Sequence, residues 1–153
     1  MAVLDDVSKL KSLGSNKTDY TYEEPCVEML EVFPNRHVGD DYMVEMSFPE
    51  FTSLCPKTGQ PDFATITVRY IPNKVCLESK SIKLYMFAYR NFGAFMESIT
   101  GKILRDFVQV SYPVYMNVIG DFAPRGALAI RVHATWSQKE GFHTPAIRME
   151  LRE

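Results

Sequence analysis

Between Tyr42 and Phe48 apolar and polar positions alternate, and from Ala64 to Ile71 the chain is richer still in Thr, Ile, Val and Tyr. Alternation with a period of two, carried by β-branched and aromatic residues, predicts a strand over each stretch. Beyond Pro72-Asn73, a turn pair, the period lengthens. Ile82, Tyr85, Met86 and Tyr89 recur at helical spacing, with Ser79 placed to be the N-cap and Asn91-Phe92-Gly93 as a stop. A second helix is predicted from about Ala94 to Val108, where Phe95, Ile99, Ile103 and Phe107 make one stripe that ends at Tyr112-Pro113. Val114 to Phe122 and Ala127 to Ala134 then read as two further strands joined around Pro124-Arg125-Gly126. The order strand, strand, helix, helix, strand, strand predicts an α+β fold with a four-stranded antiparallel sheet and two helices. Its two open sheet edges predict a homo-oligomer joined edge to edge.

The segment before residue 36 lacks such periodicity. Gly14-Ser15-Asn16-Lys17 and Pro25 interrupt it, so residues 1–35 are expected as a loosely structured arm and residues 36–153 as one domain. With 153 residues, 46% of them hydrophobic and 24% charged, the chain can bury one sizeable core, which argues against a disordered tail or a two-domain division. A net charge of −2 exerts no general pull on nucleic acid, so no polymer partner is expected. No signal-type apolar segment opens the chain and no apolar run reaches membrane-spanning length, which predicts a cytoplasmic location with no membrane partner. The cysteines, Cys26, Cys55 and Cys76, are odd in number and lack CxxC spacing, so reduced thiols are expected. His37, His133 and His143 are scattered and form no compact ligand motif, so no metal site is expected. Residues from Thr135 onward, with Trp136, His143 and Pro145, carry no assignment.

The chemistry is concentrated in two stretches. In Ser53-Leu54-Cys55-Pro56-Lys57-Thr58-Gly59-Gln60-Pro61-Asp62, a thiol sits on a Pro- and Gly-rich turn with a carboxylate seven positions later, so a nucleophile and a proton donor can share one loop. A lone cysteine ordinarily reads as a small buried hydrophobe, and Asp62 alone as a turn residue. In Glu78-Ser79-Lys80-Ser81-Ile82-Lys83-Leu84-Tyr85, Lys80 and Lys83 fall on one face of the first helical turns, where free backbone N–H groups would add to the attraction for an anion. Without a ligand the same lysines read as a solvated face.

Glu78 to Tyr85 resembles the signature of the NADPH-dependent 7-cyano-7-deazaguanine reductases, the nitrile reductases of queuosine biosynthesis, and Cys55 with Asp62 is similar to their catalytic loop. Similarity runs from Phe33-Pro34-Asn35 through Phe122-Ala123-Pro124-Arg125-Gly126, in the single-module form. The resemblance implies a tunnelling fold assembled as stacked rings, a decamer, with sites at subunit boundaries. It further implies that Cys55 attacks the nitrile carbon to give a thioimide, that Asp62 moves protons, and that two NADPH-derived hydrides complete reduction to the aminomethyl product. Leu77, Glu78, Ser79, Met96 and Glu97 would bind the substrate, with the Glu97 carboxylate accepting two parallel hydrogen bonds from the guanine-like edge. Lys80, Lys83 and Arg125 would face the NADPH phosphates.

The chain departs from typical members of that family at two positions, where Met96 and Phe92 replace histidines. Methionine packs against a flat heterocycle but cannot titrate, so any proton role there is lost. Two other readings compete with the reductase. One is an amidinotransferase that keeps the Cys/Asp pair and acts on a deazaguanine-modified tRNA; the other is a non-catalytic deazaguanine-binding module. The Lys80/Lys83 pair favours the reductase over the first, and an intact Cys55-Asp62 pair argues against the second. A zinc-dependent tunnelling-fold cyclohydrolase lacks its ligands in this sequence.

Overall fold

In a computed structural model, which describes Tyr22 and residues 24–139, the chain forms six strands and two α-helices. Strands β1 (Val32–Pro34), β2 (Val44–Leu54), β3 (Pro61–Ile71) and β4 (Val75–Leu77) precede helices α1 (Ser79–Ala88) and α2 (Met96–Ser111). Strands β5 (Tyr115–Arg125) and β6 (Leu128–Ser137) follow. The main sheet has the order β2-β3-β5-β6, and every neighbouring pair is antiparallel. The α+β architecture and the two-helix insertion between strand pairs are those predicted from the alternation of periods.

Both helices lie on one face of the sheet. From it Phe51, Ala64, Ile66, Val68, Tyr70, Met116, Val118 and Phe122 meet Ile82, Tyr85 and Met86 of α1 and Ile99, Ile103 and Phe107 of α2. The α2 stripe follows the three- and four-residue spacing that a core-facing helix requires. At Gly120 the sheet and α2 approach so closely that a Cβ there would lie 2.5 Å from Thr100 Oγ1 and 2.7 Å from the Phe122 ring, which explains the glycine. Under the same helices Tyr85 donates to Asp106 Oδ2 at 2.7 Å and shares a 2.9 Å hydrogen bond with Tyr89, while Lys102 pairs with the same carboxylate oxygen. Burial and the adjacent carboxylate push the Tyr85 hydroxyl well above the ordinary phenol range, so it remains a donor.

Three expectations change. The segment expected as an arm contributes β1, which pairs antiparallel with β4, and Leu30, which is buried in the core. Its three strand residues are all exposed and therefore show no alternation to read. The N-cap of α1 is Glu78, not Ser79: the Glu78 carboxylate accepts from the Lys80 N–H at 2.8 Å and the Ser81 N–H at 2.7 Å. Finally, β6 runs on to Ser137 and includes Trp136, which pairs with Met116 and packs edge-on against Tyr112; His143 and Pro145 lie outside the described residues.

Candidate active site

Two β-bulges aim the reactive side chains. Between the Phe48/Ile66 and Phe51/Ala64 pairs, β2 advances three residues while β3 advances two. Pro49 and Glu50 occupy this irregularity, a place where a strand tolerates proline because a ladder N–H is not required. The additional residue reverses the parity of β2. Val44, Met46 and Phe48 face the helices before it, and Phe51, Ser53 and Cys55 face them after it. In a regular strand Leu54 would point inward and Cys55 outward. Opposite, Asp62 on β3 is the cross-strand partner of Ser53, so its side chain stands on the same face; it is 6% exposed.

The second bulge lies in β5. From Phe122/Ile130 to Arg125/Leu128, β5 again advances three residues against two, with Pro124 inside the irregularity. Phe122 pairs with Ala64 and belongs to the core face, so the shift brings Arg125 round to that face. There its guanidinium Nη1 lies 3.1 Å from Asp62 Oδ1.

Six residues, Cys55 to Gln60, connect β2 to β3 and close on themselves. The Cys55 N–H donates to the Gln60 carbonyl at 2.8 Å, the Gly59 N–H to the Cys55 carbonyl at 2.9 Å, and the Gln60 N–H to Thr58 Oγ1 at 3.3 Å. Gly59 adopts φ +69°, the left-handed region open to glycine. This winding directs donors at the sulfur. The Thr58 hydroxyl, then the Thr58 and Lys57 N–H groups, and finally Arg125, outweigh the opposing effect of burial and lower the Cys55 thiol from 9.0 to about 7. A thiol so placed is substantially ionised at neutral pH.

Helix α2 is tied to this loop through the backbone. The Leu54 N–H donates to the Phe92 carbonyl at 3.0 Å and the Ala94 N–H to the Leu54 carbonyl at 3.1 Å. The first turn of α2 is thereby held beside Cys55, and no side chain caps it. One cavity of about 110 Å³ results, lined by Cys55, Asp62, Met96, Glu97 and Arg125 together with Phe95 and Ile130. Met96 is nearly buried and Glu97 is exposed at the cavity edge. Phe92 turns away to pack edge-on against Tyr89.

The other sequence-predicted site residues lie elsewhere on the protomer. Ser79 and Lys83 line a separate cavity of about 130 Å³ with Met46, Phe48, Ile82 and Met86. Leu77 is buried in the core, and its N–H donates to Tyr70 Oη at 3.1 Å. Glu78 is engaged as the helix cap, and the Lys80 and Ser81 N–H groups hold its carboxyl below the usual carboxylate range. The helix-start N–H groups of Lys80 and Ser81, expected to be free for an anion, are thus taken by the chain's own carboxylate. Lys80 and Lys83 are exposed and make no close ion pair among the described residues. Arg125, expected among the phosphate-binding residues, lines the Cys55 cavity and is paired with Asp62.

Sequence reasoning missed Thr58 and Ser53. For Thr58 the signal was present, since a hydroxyl in Pro56-Lys57-Thr58-Gly59 is placed to organise a turn. Ser53 is completely buried and its Oγ has no hydrogen-bond partner among the described residues.

Comparison with known proteins places this site in context. The profile of the family described as QueF-like protein matches residues 61–141. The NADPH-dependent 7-cyano-7-deazaguanine reductase of Streptococcus mutans is 49% identical over 126 residues, 82% of this chain and 77% of the relative. The protein of the same name from Nitratidesulfovibrio vulgaris is 51% identical over 130 residues, 85% of this chain and 78% of the relative. Among solved structures, the archaeosine synthase QueF-Like in its apo form aligns with a TM-score of 0.58 at 21% identity, covering 63% of this chain and 94% of that one, a likeness of fold. On the extent of the profile match and the identity to these relatives, the chain belongs to the QueF-like family of NADPH-dependent 7-cyano-7-deazaguanine reductases.

Proposed function

We propose that the protein reduces the nitrile of 7-cyano-7-deazaguanine to 7-aminomethyl-7-deazaguanine, with NADPH as reductant and a thioimide on Cys55 as the covalent intermediate. Beyond family membership, one observation carries the reading: a thiol lowered to about 7 shares a cavity with a buried carboxylate. Asp62 accepts the thiol proton, Cys55 Sγ bonds to the nitrile carbon, and the same proton passes from Asp62 to the nitrile nitrogen, so S–H adds across the triple bond without net charge change. When bound, NADPH supplies the hydrides. Between the two reductions the C–S bond breaks and Cys55 is restored, and Asp62 is the carboxyl group placed to protonate nitrogen. Glu97, at the cavity edge, accepts the two parallel N–H bonds of the guanine-like edge.

Leu77, Glu78, Ser79, Lys80 and Lys83 do not reach the Cys55 cavity of their own protomer, a division that favours a site completed across a subunit boundary. Among the described residues, β2 and β6, of 11 and 10 residues, are the edge strands of the sheet, with only the Leu54 end of β2 bridged to Gly93, and pairing between copies would cover them. We assign the assembly as stacked rings, a decamer, in which Glu78 and Ser79 of one subunit meet substrate held by another. Lys80 and Lys83 would then offer uncompensated cations to the cofactor phosphates. Among the described residues no helix is long and apolar enough to cross a membrane; we place the enzyme in the cytoplasm.

NADPH oxidation tests the reading. Oxidation should require 7-cyano-7-deazaguanine and stop at about two equivalents per substrate, the demand of a four-electron reduction with a two-electron carrier. A covalent adduct on Cys55 with no NADPH consumed would refute the reductase and leave an adduct-forming enzyme of another kind.

A further inference from the structure

We propose that Arg125 is a positioning residue for the Cys55-Asp62 pair, acting chiefly through the Asp62 carboxylate with a lesser contact to the Cys55 sulfur, and not an anchor for the cofactor phosphates. The proposal rests on the reading of Cys55 and Asp62 as the reacting pair. Three observations support it. The guanidinium Nη1 is 3.1 Å from Asp62 Oδ1, and the carboxylate it meets is only 5% exposed in its side chain. The β5 bulge is what turns Arg125 toward Asp62, a backbone irregularity whose visible effect is to re-aim this side chain. And Arg125 lines the same cavity as Cys55, Asp62 and Glu97, whereas Lys83 lines the other.

The charge balance of the cavity gives the pair its purpose. Cys55, Asp62 and Glu97 put three acidic side chains around one small space, where a cation can offset negative charge. Among the described residues, Arg125 is the cationic side chain that lines it; Lys57, in the Cys55 loop, is exposed and contributes its N–H to the sulfur. With its guanidinium 3.1 Å from Oδ1, Arg125 holds the Asp62 carboxylate beside the thiol, whose proton that carboxylate receives and then releases to the nitrile nitrogen. Held by a planar donor at β5, the carboxylate also keeps its direction toward the cavity.

The experiment combines Arg125→Ala, Arg125→Lys and Asp62→Asn with the double variant Asp62→Asn/Arg125→Ala. Single-turnover thioimide formation with 7-cyano-7-deazaguanine is followed by intact-protein mass spectrometry, and NADP+ affinity by calorimetry. Arg125→Ala should slow thioimide formation about tenfold or more while NADP+ affinity changes by less than about twofold. Arg125→Lys should recover part of the rate. In the Asp62→Asn background, Arg125→Ala should add only the smaller loss that follows from its contact with the Cys55 sulfur, because its main partner is already gone. A weakened NADP+ affinity with an unchanged thioimide rate overturns the proposal in favour of a phosphate anchor, and independent, multiplying losses in the double variant overturn it as well. Should the wild-type protein form no thioimide, the substrate reading fails separately. Arg125 is then judged by iodoacetamide alkylation of Cys55, resolved from Cys26 and Cys76 by peptide mapping. Its pH midpoint must rise in Arg125→Ala, and an unmoved midpoint overturns the proposal.

Discussion

Replacing Thr58 by Val removes the donor that contributes most to the lowered Cys55 thiol and leaves a side chain of nearly the same shape. The thiol stands at about 7 against an ordinary 9.0, with the Thr58 hydroxyl, two N–H groups and Arg125 all lowering it against burial. Losing the first of these should raise the midpoint by about half a unit to one unit. At pH 7 the thiolate fraction then falls from about one half to between about one quarter and one tenth, the higher nucleophilicity of the less acidic thiolate recovers part of that loss, and alkylation slows by roughly 1.2- to twofold. Above pH 9 the order should reverse. A less acidic thiol gives a more nucleophilic thiolate, and a Brønsted slope of about 0.4–0.5 makes the fully ionised variant roughly twofold faster. The assay is the rate of iodoacetamide labelling of the Cys55 peptide from about pH 5.5 to 10, with Thr58→Ser as the variant that restores wild-type behaviour. Crossing curves carry the argument. Superimposed curves, or a variant slower by one constant factor at every pH, would refute it, because the first means that the hydroxyl does not reach the sulfur and the second that only access has changed.

Gly120→Ala should destabilise the fold by about 1–3 kcal/mol, since the new Cβ would meet Thr100 Oγ1 at 2.5 Å; Thr100→Ala should recover part of the loss, and an unchanged urea midpoint would contradict the close approach of α2. Ser53→Ala removes a buried hydroxyl that has no partner among the described residues and should leave stability unchanged or raise it by about 1 kcal/mol, as read from thermal unfolding; a loss of similar size would mean that the hydroxyl is satisfied in solution. Met96→His places a titratable ring at the cavity wall and should raise reductive turnover with a new pH dependence near the histidine range. Unchanged kcat would show that the family's usual histidine is already compensated here.

Much of the fold was legible because its signals are local. The alternation in β3 and the α2 stripe each express one element burying one face, and the Pro- and Gly-rich loop between β2 and β3 announces a reversal that carries a thiol. Local signals also misled. Ser79 is a better cap by residue type than Glu78, yet the Glu78 carboxylate reaches two N–H groups and wins. The β1–β4 pair escaped notice because three-residue strands have too few positions to show a period.

What the sequence by itself determined is the inventory: a cysteine and an aspartate bracketing one turn, a glutamate at the start of a helix, two lysines on another, and the family those motifs mark. What only the tertiary structure decided is direction and company. Whether Cys55 points into the core face depends on a bulge at Pro49-Glu50, and whether Arg125 meets Asp62 depends on a bulge at Pro124. Each is a matter of register between strands, and a one-residue change in register turns every following side chain to the opposite face. The separation of Ser79 and Lys83 from the Cys55 cavity is likewise set by where α1 packs on the sheet. Residue types and spacing are written along one chain, whereas these facts belong to pairs of segments, and they exist only once those segments are packed together.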